Sequence, residues 1–192
     1  MSEYTTRAEM LSLPLIVTED AVAFPGEIVN LEISETKYGS RDAAREAFEG
    51  SKYAVAVPYK HDEDDNSELF EIGTVIKVKQ LINSGEQTLR CIAEGVSRAS
   101  VSDIRRTGKY FTVSAMCKTV TLPDGPSVKN QAYLRRLNEA AAAIAKLLPP
   151  PAENLLPNFK GIKNPAQLAD VIASFENNFV TGAQFLYFLA HI

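Results

Sequence analysis

Cysteine and histidine are scarce in this sequence: its 192 residues hold two of each. Cys91 and Cys117 sit in apolar, strand-like runs, LRCIAEG and VSAMCKTV. No histidine accompanies them at metal-ligand spacing, so the pattern excludes a zinc-type site. Two buried thiols are the plain reading; a disulfide would require strands that bring both Cβ atoms close together. His61 lies in an acidic stretch and His191 near the end of the chain, and neither neighbours a nucleophile in sequence. The chain contains no G-x-x-x-x-G-K-[ST], no G-x-G-x-x-G and no G-x-S-x-G, which removes the common phosphate loops and the nucleophile elbow.

A basic excess is also lacking. Lys and Arg number 20 against 24 Asp and Glu, a net charge of −4, and this weighs against nucleic acid as a partner. The opening residues, MSEYTTRAEM, are polar and lack the apolar stretch of a secretory signal. The longest late apolar run, residues 185–190, is too short to span a bilayer. A cytoplasmic location without a membrane partner is therefore expected. What is present is 45% hydrophobic and 23% charged, the balance of a globular chain whose core needs no metal or disulfide.

The first 120 or so residues read as strands. MLSLPLIV is extended, with Pro14 suited to a sheet edge or a strand start. EIVNLEI alternates; KYAVAVPYK places Tyr53, Val55 and Val57 on one face; FEIGTVIKVKQLI is long, and Gly73 within it predicts a bulge or a close backbone approach. A hairpin turn is expected at Asn83-Ser84-Gly85. TLRCIAEG and SRASVSDI read as two strands joined by a bend at Gly95, and KYFTVSAMCKTVTL as the last strand. Between them, RDAAREAFEG reads as a helix capped by Ser40 and stopped by Gly50. HDEDDNSEL, residues 61–69, has no periodicity and reads as a surface loop whose spacing does not suit calcium. Many short connections and few crossovers favour a closed or partly open barrel.

At TLPDGPS the period switches from two to 3.6. The division expected is a β-barrel over residues 1–121 and a helical part over 122–192. SVKNQAYLRRLNEAAAAIAKLL carries an apolar stripe of Tyr133, Leu134, Leu137, Ala141, Ile144 and Leu148, ended by the prolines at 149–151. A short helix is read at AENLLPNF. In NPAQLADVIASFENNF, Asn164 caps and Pro165 takes the first helical position. GAQFLYFLAHI reads as a last helix, in which Tyr187 belongs either to a core stripe or to a binding stripe. Among the carboxylates, only Glu94 has an apolar setting that could raise its pKa, and a turn position beside Gly95 explains it more simply. No catalytic residue, cofactor site or metal site is assigned.

Several motifs in order resemble the LON N-terminal domain of Lon-type ATP-dependent proteases. They are Leu13-Pro14-Leu15, Asp20 and Phe24-Pro25-Gly26 at the family's spacing, then YGSRDAAREAF, EIGTVIKV, CIAEGVSRASV, GKYFTV and NPAQLADVIAS. The resemblance runs from about residue 11 to the end. Val17 and Glu19 stand where the family often carries a second Pro and an Arg, so no contact of that arginine is carried over. The resemblance implies an α+β fold: a PUA-like β-barrel, closed or partly open, with one inserted helix, followed by a C-terminal helical bundle. It implies a domain that binds unfolded, damaged or degron-bearing proteins and helps a hexamer assemble. ATP and Mg, and a Ser-Lys peptidase, would belong to modules outside this chain, which would be the N-terminal part of a longer serine protease. A stand-alone LON-domain binding module is the alternative, and an enzyme or RNA-binding protein on the same barrel is a third reading.

Phe24-Pro25-Gly26, together with Leu13, Pro14, Gly73 and Gly95, reads as architecture: Pro25 fixes φ and Gly26 permits a turn that other residues resist. For substrate contact the candidates are Tyr38, Tyr59 and Phe70. They are apolar residues near loops that leave the core pattern, and a satellite cluster under those loops is the competing assignment.

Overall fold

A computed structural model describes residues 5–19, 21–34, 37–60, 68–84, 88–121, 128–145 and 162–177. In chain order the elements are β1 (Thr5–Thr18), β2 (Ile28–Ser34), α1 (Ser40–Glu49), β3 (Tyr53–Lys60), β4 (Glu68–Leu69), β5 (Ile72–Asn83), β6 (Thr88–Thr107), β7 (Tyr110–Thr121), α2 (Val128–Ala145) and α3 (Pro165–Asn177). The fold is α+β, as the periodicities predict: a mixed sheet with one inserted helix, then helices.

The strand pairing returns on itself. β1 runs antiparallel to β7, β7 to β6, β6 to β5 and β5 to β3, and β3 closes the ring by a parallel pairing with β1, Leu15 opposite Val55 through Thr18 opposite Pro58. β2 lies outside this ring, antiparallel to the first half of β6. β4 adds two residues beside the end of β3, so residues 68 and 69 are strand rather than the expected loop; residues 61–67 lie outside the described residues.

Pro14 is neither at a sheet edge nor at a strand start. It is the last β1 residue paired with β7, and Leu15 is the first paired with β3. A residue without an N–H fits the step where the strand exchanges one partner for another.

Two apolar clusters divide the core. One draws on all five ring strands and fills the face they enclose: Leu13, Leu15 and Val17, Val55 and Val57, Val75, Ala99, then Val113, Ala115 and Cys117. The other lies under α1 and joins Ala43, Ala44 and Ala47 to Ile16, Leu31, Ile33, Ala54, Ala56, Ile76, Val78, Leu89 and Cys91. β3 is therefore apolar on both faces, valines inward and alanines toward the helix. The small side chains on α1 and β3 allow close approach. Cys91 and Cys117 are both free and buried, in different clusters.

Ser40 does not cap α1. Gly39 is the N-cap, at φ +65, and the buried Ser40 Oγ accepts a hydrogen bond from the Val17 N–H at 3.0 Å. Its hydroxyl serves β1 instead of the helix end. At the other end the Gly50 N–H donates to Glu46 O at 2.9 Å.

The corner at Phe24-Pro25-Gly26 is a turn in which the Glu27 N–H reaches Phe24 O at 3.2 Å and Gly26 has φ +82, the signature of type II with Pro at the second place and Gly at the third. It is fastened to β6: the Gly26 N–H donates to Gly95 O and the Gly95 N–H to Glu27 O, both at 2.8 Å. No bend divides β6 at Gly95. The strand runs unbroken for 20 residues, with its register against β5 shifting where Val75 and Ile76 face Ser97 and Gly95. Gly95 is required by proximity, since a Cβ there would lie 1.9 Å from Phe24 O. Gly73 is also a close approach and not a bulge: a Cβ would lie 2.6 Å from Ala56 O, and the shifts in β5 fall elsewhere.

The two helices pack on each other through Leu134, Leu137 and Ala141 of α2 and Leu168, Val171 and Ile172 of α3, with Leu168 fully buried. Tyr133, expected on this stripe, is 47% exposed; among the described residues, α2 packs through Leu134, Leu137 and Ala141. α3 begins as expected, with the Ala166 N–H donating to Asn164 Oδ1 at 2.9 Å. It meets the ring where Ala173 packs on Val22 and Phe24 and where Asp170 pairs with Arg98 of β6. The side chains of Ile144 and Phe175, the TLPDGPS turn after Thr121, and the segments holding Asp20, Gly85, Leu148, the prolines at 149–151, AENLLPNF, Tyr187, His61 and His191 lie outside the described residues.

Candidate functional site

Tyr38, Tyr59 and Phe70 come from three separate places in the chain, and the structure gathers them. All three are half-buried and pack on the cluster inside the ring, beside Leu69 and Phe111. Tyr59 is paired with Leu69 across β3 and β4, and the Phe70 N–H donates to Pro58 O at 3.4 Å. The Tyr38 and Phe111 rings meet edge to face, centroids 5.6 Å apart at 73°, a favoured aromatic geometry. These residues form an aromatic rim at one mouth of the ring.

Two glycines hold Tyr38 in place. Gly39, in the left-handed region, lies so near the β6–β7 turn that a Cβ would come within 2.1 Å of Lys109 O. The turn itself uses Gly108 at φ +65. The segment before α1 is thus laid against the start of β7, and this sets Tyr38 over Phe111. Lys37 completes the rim, its Nζ 5.2 Å from the centre of the Tyr38 ring. The phenol oxygens of Tyr38, and then of Tyr59, hold its ammonium above the ordinary lysine range.

The rim offers aromatic faces, phenols and a cation, which is binding chemistry: apolar contact, hydrogen bonding and charge. Among the described residues no group of three or more His, Cys, Asp or Glu side chains could hold a metal ion. Glu94 is the clearest departure from expectation. It sits within β6, not at a turn, and Lys79 Nζ lies 2.6 Å from its Oε2. That hydrogen bond and charge hold its carboxyl below the usual glutamate range. Burial pushes the Cys91 thiol up to about 12, which leaves it protonated and unreactive at neutral pH.

A second apolar surface crosses the outer wall of the ring. Met10 faces Met116, Met116 faces Ser100 and Ser100 faces Ile72 in successive ladders. Directly paired residues share a face, and Met10 and Ile72 are 59% and 61% exposed. Sequence reasoning did not single out this row, because its members lie on four strands and meet only through register. It also missed Phe111 and Lys37. The available signal was GKYF, an aromatic pair directly after a two-residue turn.

Residues 12–178 match the family model of the ATP-dependent protease La (LON) substrate-binding domain. The Lon protease of Desulforamulus reducens is 28% identical over 173 residues, which cover 87% of this chain and 20% of that protein. The Lon protease of Escherichia coli K12 is 26% identical over 174 residues, 88% of this chain and 21% of that protein. The chain thus spans about one fifth of the length of the curated relatives it matches. The N-terminal domain of Mycobacterium avium complex Lon protease shares the fold, with a TM-score of 0.62 at 19% identity, covering 91% of this chain and 87% of that one. With a match that covers most of its length, the chain belongs to the LON substrate-binding domain family.

Proposed function

We propose that this chain is the substrate-recognition and assembly domain of an ATP-dependent Lon-type serine protease of the cytoplasm. It grips unfolded, damaged or degron-bearing polypeptides while ATP hydrolysis and peptide cleavage occur in modules outside it. The observation that carries this reading is the family match over residues 12–178. The aromatic rim of Tyr38, Tyr59, Phe70 and Phe111 and the exposed row from Met10 to Ile72 support it. Unfolded chains expose apolar side chains and backbone, and such surfaces can hold them. In this reading the ring is a PUA-like barrel over residues 1–121, residues 122–192 open a longer helical region, and the full-length protein self-associates as a hexamer.

The test is binding of a permanently unfolded model protein, reduced and carboxymethylated, against its native form. Photo-crosslinkers at positions 38, 59, 70 and 10 report the contact. Crosslinks to the unfolded form alone are expected. Equal capture of native protein, or peptide or ATP hydrolysis by the pure chain, would overturn the assignment. A stand-alone LON-domain binding module is separated from it by the coding sequence after Ile192: a downstream ATPase phosphate loop supports the protease, an immediate stop codon the module.

A further inference from the structure

Four cations among the described residues pair with carboxylates. Lys79 pairs with Glu94, Arg98 with Asp170, Arg135 with Glu139 and Arg45 with Asp42. Lys37, Arg106 and Lys109 pair with no carboxylate among the described residues, and all three are exposed. They are also neighbours. Arg106 stands directly opposite Phe111 in the β6–β7 ladder and so shares its face, the face on which Tyr38 and Lys37 sit. Its Nε donates to Gly108 O at 3.2 Å, which holds it across the turn. Lys109 is in that turn, against Gly39. The hairpin's own carboxylate, Asp103, lies in the irregular step between Ser102 and Arg105 and pairs with neither Arg105 nor Arg106. These three cations stand on the Tyr38–Phe111 side of the rim, while the exposed Glu71 follows Phe70 on the other side.

We propose that the rim selects polypeptide segments in which acidic side chains stand beside aromatic or other apolar ones, with Lys37 and Arg106 supplying the complementary charge. This rests on the polypeptide-binding function proposed above and adds a selectivity to it. Charge complementarity of this kind sets preference and encounter rate more than affinity, so the aromatic contacts carry the grip and the cations choose among grips. A long polyanion is the less suitable occupant. It would extend past two or three cations onto a molecule of opposing overall charge, whereas a short acidic segment meets only the local field, which salt screens within about 10 Å.

The test uses this chain and three short fluorescent peptides that share one aromatic-rich sequence and differ in carrying Asp, Gln or Lys at the alternate positions, with binding read by anisotropy. The Asp peptide is expected to bind about five-fold tighter than the Gln peptide at low salt, and the Lys peptide most weakly. The advantage should vanish at high salt and in the Lys37→Glu, Arg106→Glu double variant, where the Asp peptide should bind no tighter than the Gln peptide. Lys163→Glu, an exposed cation at the start of α3, should change nothing. Should the double variant misfold by circular dichroism, Lys37→Gln and the salt titration of the parent chain decide in its place. Equal binding of all three peptides would overturn the charge selection and leave polypeptide binding intact. Failure of every peptide and of unfolded protein to bind would overturn both. A short single-stranded oligonucleotide that binds more tightly and displaces the Asp peptide would overturn the peptide assignment and give these cations to a phosphate chain.

Discussion

Gly26 and Gly95 meet at one point in the fold but are constrained for different reasons. Gly26 has open space around its Cα and a φ of +82; Gly95 has ordinary dihedrals and no space at all. Alanine at 26 meets only the conformational cost of the left-handed region, about 1–2 kcal/mol. Alanine at 95 puts a methyl into the Phe24 carbonyl and breaks two backbone hydrogen bonds, about 3 kcal/mol or more. Urea denaturation should rank Gly95→Ala well below Gly26→Ala; equal losses would mean that the corner is not seated on β6. The first glycine is readable from Phe-Pro-Gly, because the turn is local. The second is not, because a glycine demanded by a distant backbone looks the same in sequence as one that bends a strand. The rim shows the same limit: Tyr38, Tyr59 and Phe70 stood out singly, but Phe111 joins them only through the contact of two loops far apart in the chain.

Among the elements, α3 poses the sharpest question. Its Asp170 is mostly buried against β6, and burial raises its pKa above the ordinary 3.8 more than Arg98 lowers it. The ion pair argues for stabilisation and the raised pKa for a net cost. The second governs, because Arg98 is 44% exposed and its field is weakened by solvent. The folded pKa exceeds the unfolded one, so Asp170's contribution is fully favourable below 3.8 and is lost as pH rises through the folded value. At neutral pH, Asp170→Asn should therefore be as stable as the parent or more so, while Arg98→Ala, which leaves the carboxylate buried alone, should lose about 1–2 kcal/mol. Hydrogen exchange of the α3 amides is the local readout; slower exchange in Arg98→Ala than in Asp170→Asn would reverse the assignment. Helices were readable as elements because an asparagine cap, a following proline and a 3.6 period are local signals. Where α3 docks was not, since a single arginine on an outward strand face carries no mark of its partner.

At the scale of the molecule, the α+β class and strand-rich first part were visible in the alternating runs. The circuit of pairing was not, because nothing in KYAVAVP names β1 and β5 as its neighbours. The two thiols offer a measure of how the circuit opens, since Cys91 lies under α1 and Cys117 inside the ring. At pH 8 neither should react with a thiol reagent in the native protein, and both should become reactive in a single step as urea unfolds it. Cys117 reacting at lower urea than Cys91 would show that the ring opens before the layer beneath the helix. The pH effect has a fixed sign: the Cys91 pKa rises from 9.0 to about 12 on folding, so its contribution is complete below pH 9.0 and is lost as pH climbs toward 12.

The strand that starts the chain also needs the strand that ends the sheet. Thr5 pairs with Thr121, at the far end of β7. A nascent polypeptide leaving the ribosome therefore carries β1 for more than a hundred residues of synthesis before that mate emerges. Throughout that interval Leu11, Leu13 and Leu15 have no enclosed face to fill. While it is being made, a domain proposed to hold unfolded proteins is itself an unfolded chain with an aromatic and aliphatic display.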